Sequence, residues 1–172
     1  LSGKSLVSSQ EMVGKIKAAK DALDESTCLV IARTDALAIE GVSSALDRAE
    51  TYWEAGADIL FIEAPKDTGT MQSIANRFRN RVPLLINMIE GGKTPLLPLE
   101  ELGQMGFKLV IYPGAFVRAL SFLGNEFYRD LVATGNTAAW QERMLDLSGL
   151  NELLGTKDML ESGKKYDAEG QT

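Results

Sequence analysis

The 172-residue sequence has no histidine and a single cysteine, Cys28. Without imidazole, Ser-His-Asp catalysis and histidine-ligated metal sites are excluded from this polypeptide. One thiol cannot close an internal disulfide, so a reducing, cytoplasmic setting is expected, with Cys28 as a small core hydrophobe. Basic residues are in deficit: 18 Lys and Arg stand against 24 Asp and Glu, with a net charge of −6. No basic stripe is visible, which disfavours a nucleic-acid partner. No apolar run approaches the ~20 residues that span a bilayer, so no membrane partner is expected. Leu1-Ser2-Gly3-Lys4 is not followed by an apolar leader segment. An opening on Leu1 rather than Met is expected of a trimmed chain or a fragment. What is present is ordinary: 45% hydrophobic and 24% charged residues, enough for one domain with a real core.

Periodicity divides the chain into alternating helices and strands. Apolar residues at Met12, Val13, Ile16, Ala19 and Leu23 form a helical face behind Ser8 or Ser9 as N-cap. Asp24-Glu25-Ser26-Thr27 reads as a polar loop. The run Cys28 to Ala32 then reads as a strand covered on both faces, ending in Arg33-Thr34-Asp35. A helix over Val42 to Ala55, closed by Gly56, leads to a strand over Asp58 to Ile62 that stops at Glu63-Ala64-Pro65. A helix from Thr68 to about Arg79 leads to a strand over Pro83 to Ile86 that stops at Asn87. Leu99 to Met105 and Gly106 lead to a strand over Leu109 to Tyr112. A long helix follows from Ala115 to about Ala133, broken by Gly135-Asn136. Thr137 to Leu147 reads as one more helix, Leu150 to Leu160 holds a shorter one, and Ser162 to Thr172 reads as a frayed tail. Repeated βα units of this length belong to a parallel barrel or a doubly wound sheet.

Strand ends are where such folds place their chemistry. Here they supply Arg33, Asp35, Glu63, Asn87 and Tyr112, with Glu90 in the Gly-rich stretch Asn87-Met88-Ile89-Glu90-Gly91-Gly92-Lys93-Thr94-Pro95. Arg118 falls in the first turns of the helix after the fourth strand. Two arginines over a cluster of carboxylates suit a small anion held beside a divalent cation. The plain alternatives are a local Arg33–Asp35 ion pair and an ordinary turn at Gly91-Gly92. Glu63 is harder to dismiss, because a carboxylate ending so apolar a run is costly unless paired.

The stretches Ile31-Ala32-Arg33-Thr34-Asp35-Ala36, Glu54 to Asp58, Phe61 to Pro65, Asn87 to Pro95 and Tyr112-Pro113 together resemble the isocitrate lyase / phosphoenolpyruvate mutase superfamily. The opening residues Leu1 to Val7 resemble the segment just after that family's active-site loop. The resemblance implies an α/β fold of the (β/α)8 TIM-barrel type, with residues 1–134 as its C-terminal half of about four βα units. It implies Mg²⁺, and an enolate formed by breaking a C–C or P–C bond of a small 2-oxo or 2-hydroxy acid. It assigns Arg33 and Glu63 to catalysis and Arg33, Asn87, Ile89, Glu90 and Arg118 to substrate binding. Glu63 would reach the metal through water, and the direct metal ligands would lie outside this sequence. Residues 135–161 would be C-terminal helices, exchanged between subunits of a homo-oligomer built as a dimer of dimers, with 162–172 as a tail.

Two departures bear on the substrate. Methylisocitrate lyases resemble this chain with a threonine at Ile89 and an arginine at Leu150. Their absence favours a dicarboxylate of the oxaloacetate or 2-alkylmalate type over a tricarboxylate. A phosphonomutase and an inactive half-barrel are the alternatives, and residues 1–172 alone are expected to be inactive.

Overall fold

The computed structural model describes residues 3–23 and 27–166. The expected polar loop at 24–26, the last residues of the expected tail and the first two residues of the opening motif lie outside the described residues. The chain divides into two compact units, Leu1–Val117 and Arg118–Thr172.

The first unit alternates helices with parallel strands: α1 (Ser9–Ala22), β1 (Ile31–Thr34), α2 (Val42–Glu54), β2 (Ile59–Ile62), α3 (Thr68–Phe78), β3 (Leu84–Asn87), α4 (Leu99–Met105) and β4 (Leu109–Ile111). The sheet order is β1-β2-β3-β4, every neighbour parallel. Consecutive strands are therefore neighbours throughout. A doubly wound sheet reverses its order at a switch point, and this one does not.

The register pairs Arg33 with Phe61, Phe61 with Leu85, and Asn87 with Ile111. Paired residues of parallel strands share a face, so side chains alternate by parity. Even-numbered Ala32, Leu60, Ile62, Leu84 and Ile86 are buried in one core with Ile16, Ala45, Ala49, Tyr52, Met71, Ile74, Phe78 and Leu102 from the four helices. Odd-numbered Ile59, Phe61 and Leu85 form a separate small cluster with Ile111 on the other face. One face of the sheet thus carries the helical layer, and the other a shorter apolar row.

Local signals explain the helix ends. Ser8 caps α1 by accepting the Glu11 N–H at 3.1 Å, and Asp67 caps α3 by accepting the Thr70 N–H at 2.7 Å. Gly56 (φ 106°) and Gly106 (φ 119°) both turn the chain in the left-handed region after a helix. A Cβ on Gly106 would stand 2.6 Å from Arg79 Cβ, so only glycine fits there.

Asp58 ties three elements together. Its carboxylate accepts the Val30 N–H at 2.8 Å and the Lys20 ammonium at 2.9 and 3.0 Å. The hydrogen bond from Val30, and then the one from Lys20, hold its pKa below the ordinary aspartate value. A lowered folded-state pKa stabilises above the unfolded value and is lost as pH falls through the folded one. Asp58→Asn is therefore expected to melt below the wild type at pH 7, with the gap closing as pH drops below about 4. Melting curves across that range check it; a gap unchanged from pH 7 to 3 would show that the carboxylate charge contributes nothing.

Two expectations for β1 need correction. The strand covers Ile31–Thr34 with alternating burial, and Ile31 is 44% exposed. It is an edge strand covered on one face, not two. Cys28 precedes it and is exposed, so it is neither in a strand nor in the core.

The second unit, Arg118–Thr172, starts inside α5 (Ala115–Thr134), a helix that buries none of its residues. The expected single helix over Thr137 to Leu147 is instead a 3-10 segment, Ala138–Arg143, with Met144 extended after it. Asp146 explains the break: its extended backbone and its acceptance of the Gly149 N–H at 2.7 Å start a new helix, α6 (Leu147–Leu153). Left-handed Gly155 separates α6 from α7 (Thr156–Gly163). Residues 162–166 continue in helical form, where a frayed tail is expected from sequence. Trp140 is 3% exposed, edge-on to Phe127 at 5.3 Å, and donates to Asp130 at 3.2 Å. Among the described residues no helix is long and apolar enough to cross a membrane.

Candidate functional site

The odd-numbered face leads directly to the site. Ile31 is followed in parity by Arg33, Phe61 by Glu63, and Leu85 by Asn87. An apolar row therefore changes to a guanidinium, a carboxylate and an amide at the carboxyl ends of three adjacent strands. Glu63 follows β2, and its N–H is held by the Thr34 carbonyl at 2.9 Å, which extends the parallel pairing by one residue.

Glu63 Oε2 and Asn87 Oδ1 are buried without a hydrogen-bond partner. Buried acceptors of this kind are rare and costly, worth about 1–3 kcal/mol each. Both residues line a cavity of about 120 Å³ with Ala64, Ile89, Gly92, Lys93 and Thr94. Ala64 has φ 59°, the only positive value outside glycine among the described residues. Non-glycine residues rarely hold this conformation, which costs of order 1 kcal/mol or more.

The Gly-rich loop closes through the Gly92 N–H to the Ile89 carbonyl at 2.9 Å, with Gly91 at φ 73°. A turn with positive φ at its third residue favours glycine. A Cβ on Gly92 would meet the Ile89 oxygen at 2.9 Å, so both glycines are needed to keep the loop this tight.

Arg33 makes a two-pronged pair with Asp35, Nε to Oδ2 at 2.9 Å and Nη2 to Oδ1 at 3.0 Å. Its guanidinium carbon lies 5.0 Å from the centre of the Phe61 ring. Nη2 is 3.7 Å from Glu63 Oε2, an ion pair too long for a hydrogen bond. The hydrogen bond to Asp35 raises the pKa of Arg33, and the same bond, followed by one from Lys4, lowers that of Asp35. A larger cavity of about 280 Å³ lies on the Lys4 side of Arg33 and Asp35, lined also by Arg48 and Tyr52. Its charges are matched internally: Lys4 pairs with Asp35, and Arg48 with Glu40 at 2.7 Å.

The structure brings Arg33, Glu63, Asn87 and Ile89 to one end of the sheet. Glu90 is half-buried in the turn and does not line the 120 Å³ cavity. Arg118 belongs to the second unit. Tyr112 lies one residue past β4, on the opposite parity from Asn87's partner Ile111, and is 43% exposed; it does not join the cavity. Lys93 and Thr94 join the cavity from the same Gly-rich stretch, without standing at a strand end that would single them out in sequence. Ala64 had no signal, since a residue before proline is normally extended.

The model of the phosphoenolpyruvate phosphomutase family matches residues 1–129. A 2,3-dimethylmalate lyase of Eubacterium barkeri is 38% identical over 166 residues, covering 95% of this chain and 56% of the relative. A 2-methylisocitrate lyase of Vibrio cholerae is 40% identical over 147 residues, covering 83% of this chain and 46% of the relative. The structure of an oxaloacetate acetylhydrolase in complex with 3,3-difluorooxalacetate matches with a TM-score of 0.86 at 28% identity, over 96% of this chain and 56% of that one. The chain spans about half the length of the curated relatives it matches. A family model that runs through every strand end of the site, together with relatives near 40% identity, places this chain in the phosphoenolpyruvate phosphomutase family.

Proposed function

We propose that this chain is the C-terminal half of a Mg²⁺-dependent lyase that cleaves a C–C bond of a small 2-oxo or 2-hydroxy dicarboxylate through an enolate. The observation that carries the reading is the pair of buried, unpartnered oxygens in one cavity, Glu63 Oε2 and Asn87 Oδ1, with Arg33 3.7 Å from the first. Unpaired acceptors call for something that brings protons or positive charge. Hard oxygens of this kind suit Mg²⁺ or the water molecules it keeps. One carboxylate is not a full coordination shell, and among the described residues no group of three or more His, Cys, Asp or Glu stands together to hold a metal. Glu63 would reach the cation through water, and the direct ligands would come from outside residues 1–172. When bound, the cation supplies positive charge where enolate charge develops.

The chain's own residues do the rest. Arg33 presents guanidinium hydrogens to a substrate carboxylate. Asn87 Oδ1 accepts from a 2-hydroxyl, and a half-turn of the amide presents Nδ2 to a carboxylate. Ile89 gives the cavity an apolar wall, which favours a dicarboxylate with an alkyl substituent over a third carboxylate.

Sequential parallel strands, helices on one face only and an apolar row on the other support a half-barrel of the (β/α)8 type. The edges where further strands would pair are β1 and β4, and the exposed Ile31 and Leu109 lie on the odd-numbered face that a closed barrel encloses. The second unit exposes Leu147, Leu153, Leu154, Met159 and Leu160. That surface supports exchange of the C-terminal helices within a homo-oligomer, a dimer of dimers.

The test is turnover by the full-length protein in Mg²⁺ with oxaloacetate and 2-alkylmalates, against phosphonopyruvate. Turnover of a dicarboxylate that stops with EDTA is the expected result. Turnover of the phosphonate alone would replace the lyase by a phosphonomutase. Residues 1–172 alone are expected to turn over neither.

A further inference from the structure

We infer that Asp35 is a positioning residue, which holds the Arg33 guanidinium so that it stands beside Glu63 without pairing directly with it. The inference rests on the reading of Arg33 as a ligand of the substrate carboxylate. Asp35 occupies the N-cap position of a short 3-10 turn, Ala36–Ala38, where aspartate usually accepts a backbone N–H. It makes no such bond; Thr34 Oγ1 takes the Ala36 N–H instead, at 3.2 Å. The carboxylate is turned to Arg33 and Lys4.

The geometry gives this a direction. Arg33 has five N–H groups, and Asp35 takes Nε–H and one hydrogen of Nη2. The opposite edge, Nη1 with the second hydrogen of Nη2, remains for a bidentate carboxylate. Asp35 fixes the guanidinium within its plane, and Phe61 supports it from one side. The nearest other carboxylate is Glu63, with Oε2 at 3.7 Å from Nη2. Without Asp35 the guanidinium is free to close that gap. A direct Arg33–Glu63 pair would occupy the edge that substrate needs and cover the unpartnered oxygen. Asp35 keeps the two catalytic groups apart as well as aimed.

Oxalate, the smallest dicarboxylate, is the probe. Its affinity is measured by calorimetric titration in Mg²⁺ buffer on the full-length protein, on Asp35→Asn, on Arg33→Met and on the double variant. Asp35→Asn is expected to weaken oxalate about tenfold, the worth of a disturbed charge-assisted hydrogen bond. In the Arg33→Met background the same change is expected to shift affinity less than about twofold, because Asp35 then has no guanidinium to position. A structural role would weaken binding equally in both backgrounds and would overturn the inference. So would Asp35→Asn binding within about twofold of wild type while Arg33→Met binds poorly. If Arg33→Met binds as wild type, the assignment of Arg33 to the carboxylate fails first, and the inference with it.

Discussion

Glu63→Gln in the full-length protein is expected to lower kcat by about 10²–10⁴-fold, the range lost with a positioned acid–base or charge-stabilising group. Glutamine keeps the shape of the side chain and removes its charge. In the folded protein that charge is poorly served. Oε2 is buried without a hydrogen bond, and its ion-pair partner Arg33 is held by Asp35. Removing a charge whose buried oxygen has no hydrogen bond and only a long ion pair relieves a cost, so the variant is expected to melt at or above the wild-type temperature, by roughly 2–4 °C per kcal/mol recovered. Loss of activity with stability kept is the signature of a group retained for chemistry. Steady-state kinetics and a melting curve on the same preparation check both halves. Turnover within threefold of wild type would remove Glu63 from the mechanism. A large fall in melting temperature would make Glu63 a structural residue.

Most of the architecture was legible because buried strands and amphipathic helices leave different periods. α4 was bounded to the residue, and the matched glycines Gly56 and Gly106 announced two helix ends. The site was legible too, since Arg33, Glu63 and Asn87 stand where apolar runs stop. The losses have physical causes. An apolar run cannot say whether both of its faces are covered, and β1 read as covered on both although one is open. The helical period continued through Asp146, where one side-chain hydrogen bond restarts the chain. The plain reading of Arg33 with Asp35 and the functional one were posed as rivals. The ion pair forms, and it leaves one edge of the guanidinium outside it, so the pair does not by itself exclude a ligand there. Lys4 and Ala64 depend on contacts and backbone angles that no local pattern carries.

The second large effect lies on the opposite face of the same sheet. Phe78→Ala is expected to destabilise by about 3–5 kcal/mol, or roughly 10–15 °C in melting temperature for a chain of this size. Phe78 is completely buried near the end of α3, in the core that holds Leu60, Leu84, Leu102 and Phe107. Its carbonyl also accepts from Arg81 and Val82, at 2.8 and 3.1 Å, so the turn into β3 starts from it. Truncation leaves a cavity that a close-packed core fills only in part. Phe78→Leu, which keeps most of the volume, is expected to cost less than half as much. The even-numbered residues face this core, and Arg33, Glu63 and Asn87 of the candidate site follow the odd-numbered ones. Folded Phe78→Ala protein is therefore expected to retain KM within about twofold of wild type at a temperature well below its melting point, the reverse of the Glu63→Gln result. A melting temperature within about 3 °C of wild type would show that the helical layer packs on the sheet without Phe78. A changed KM in the folded variant would show that the two faces are coupled through the strands they share.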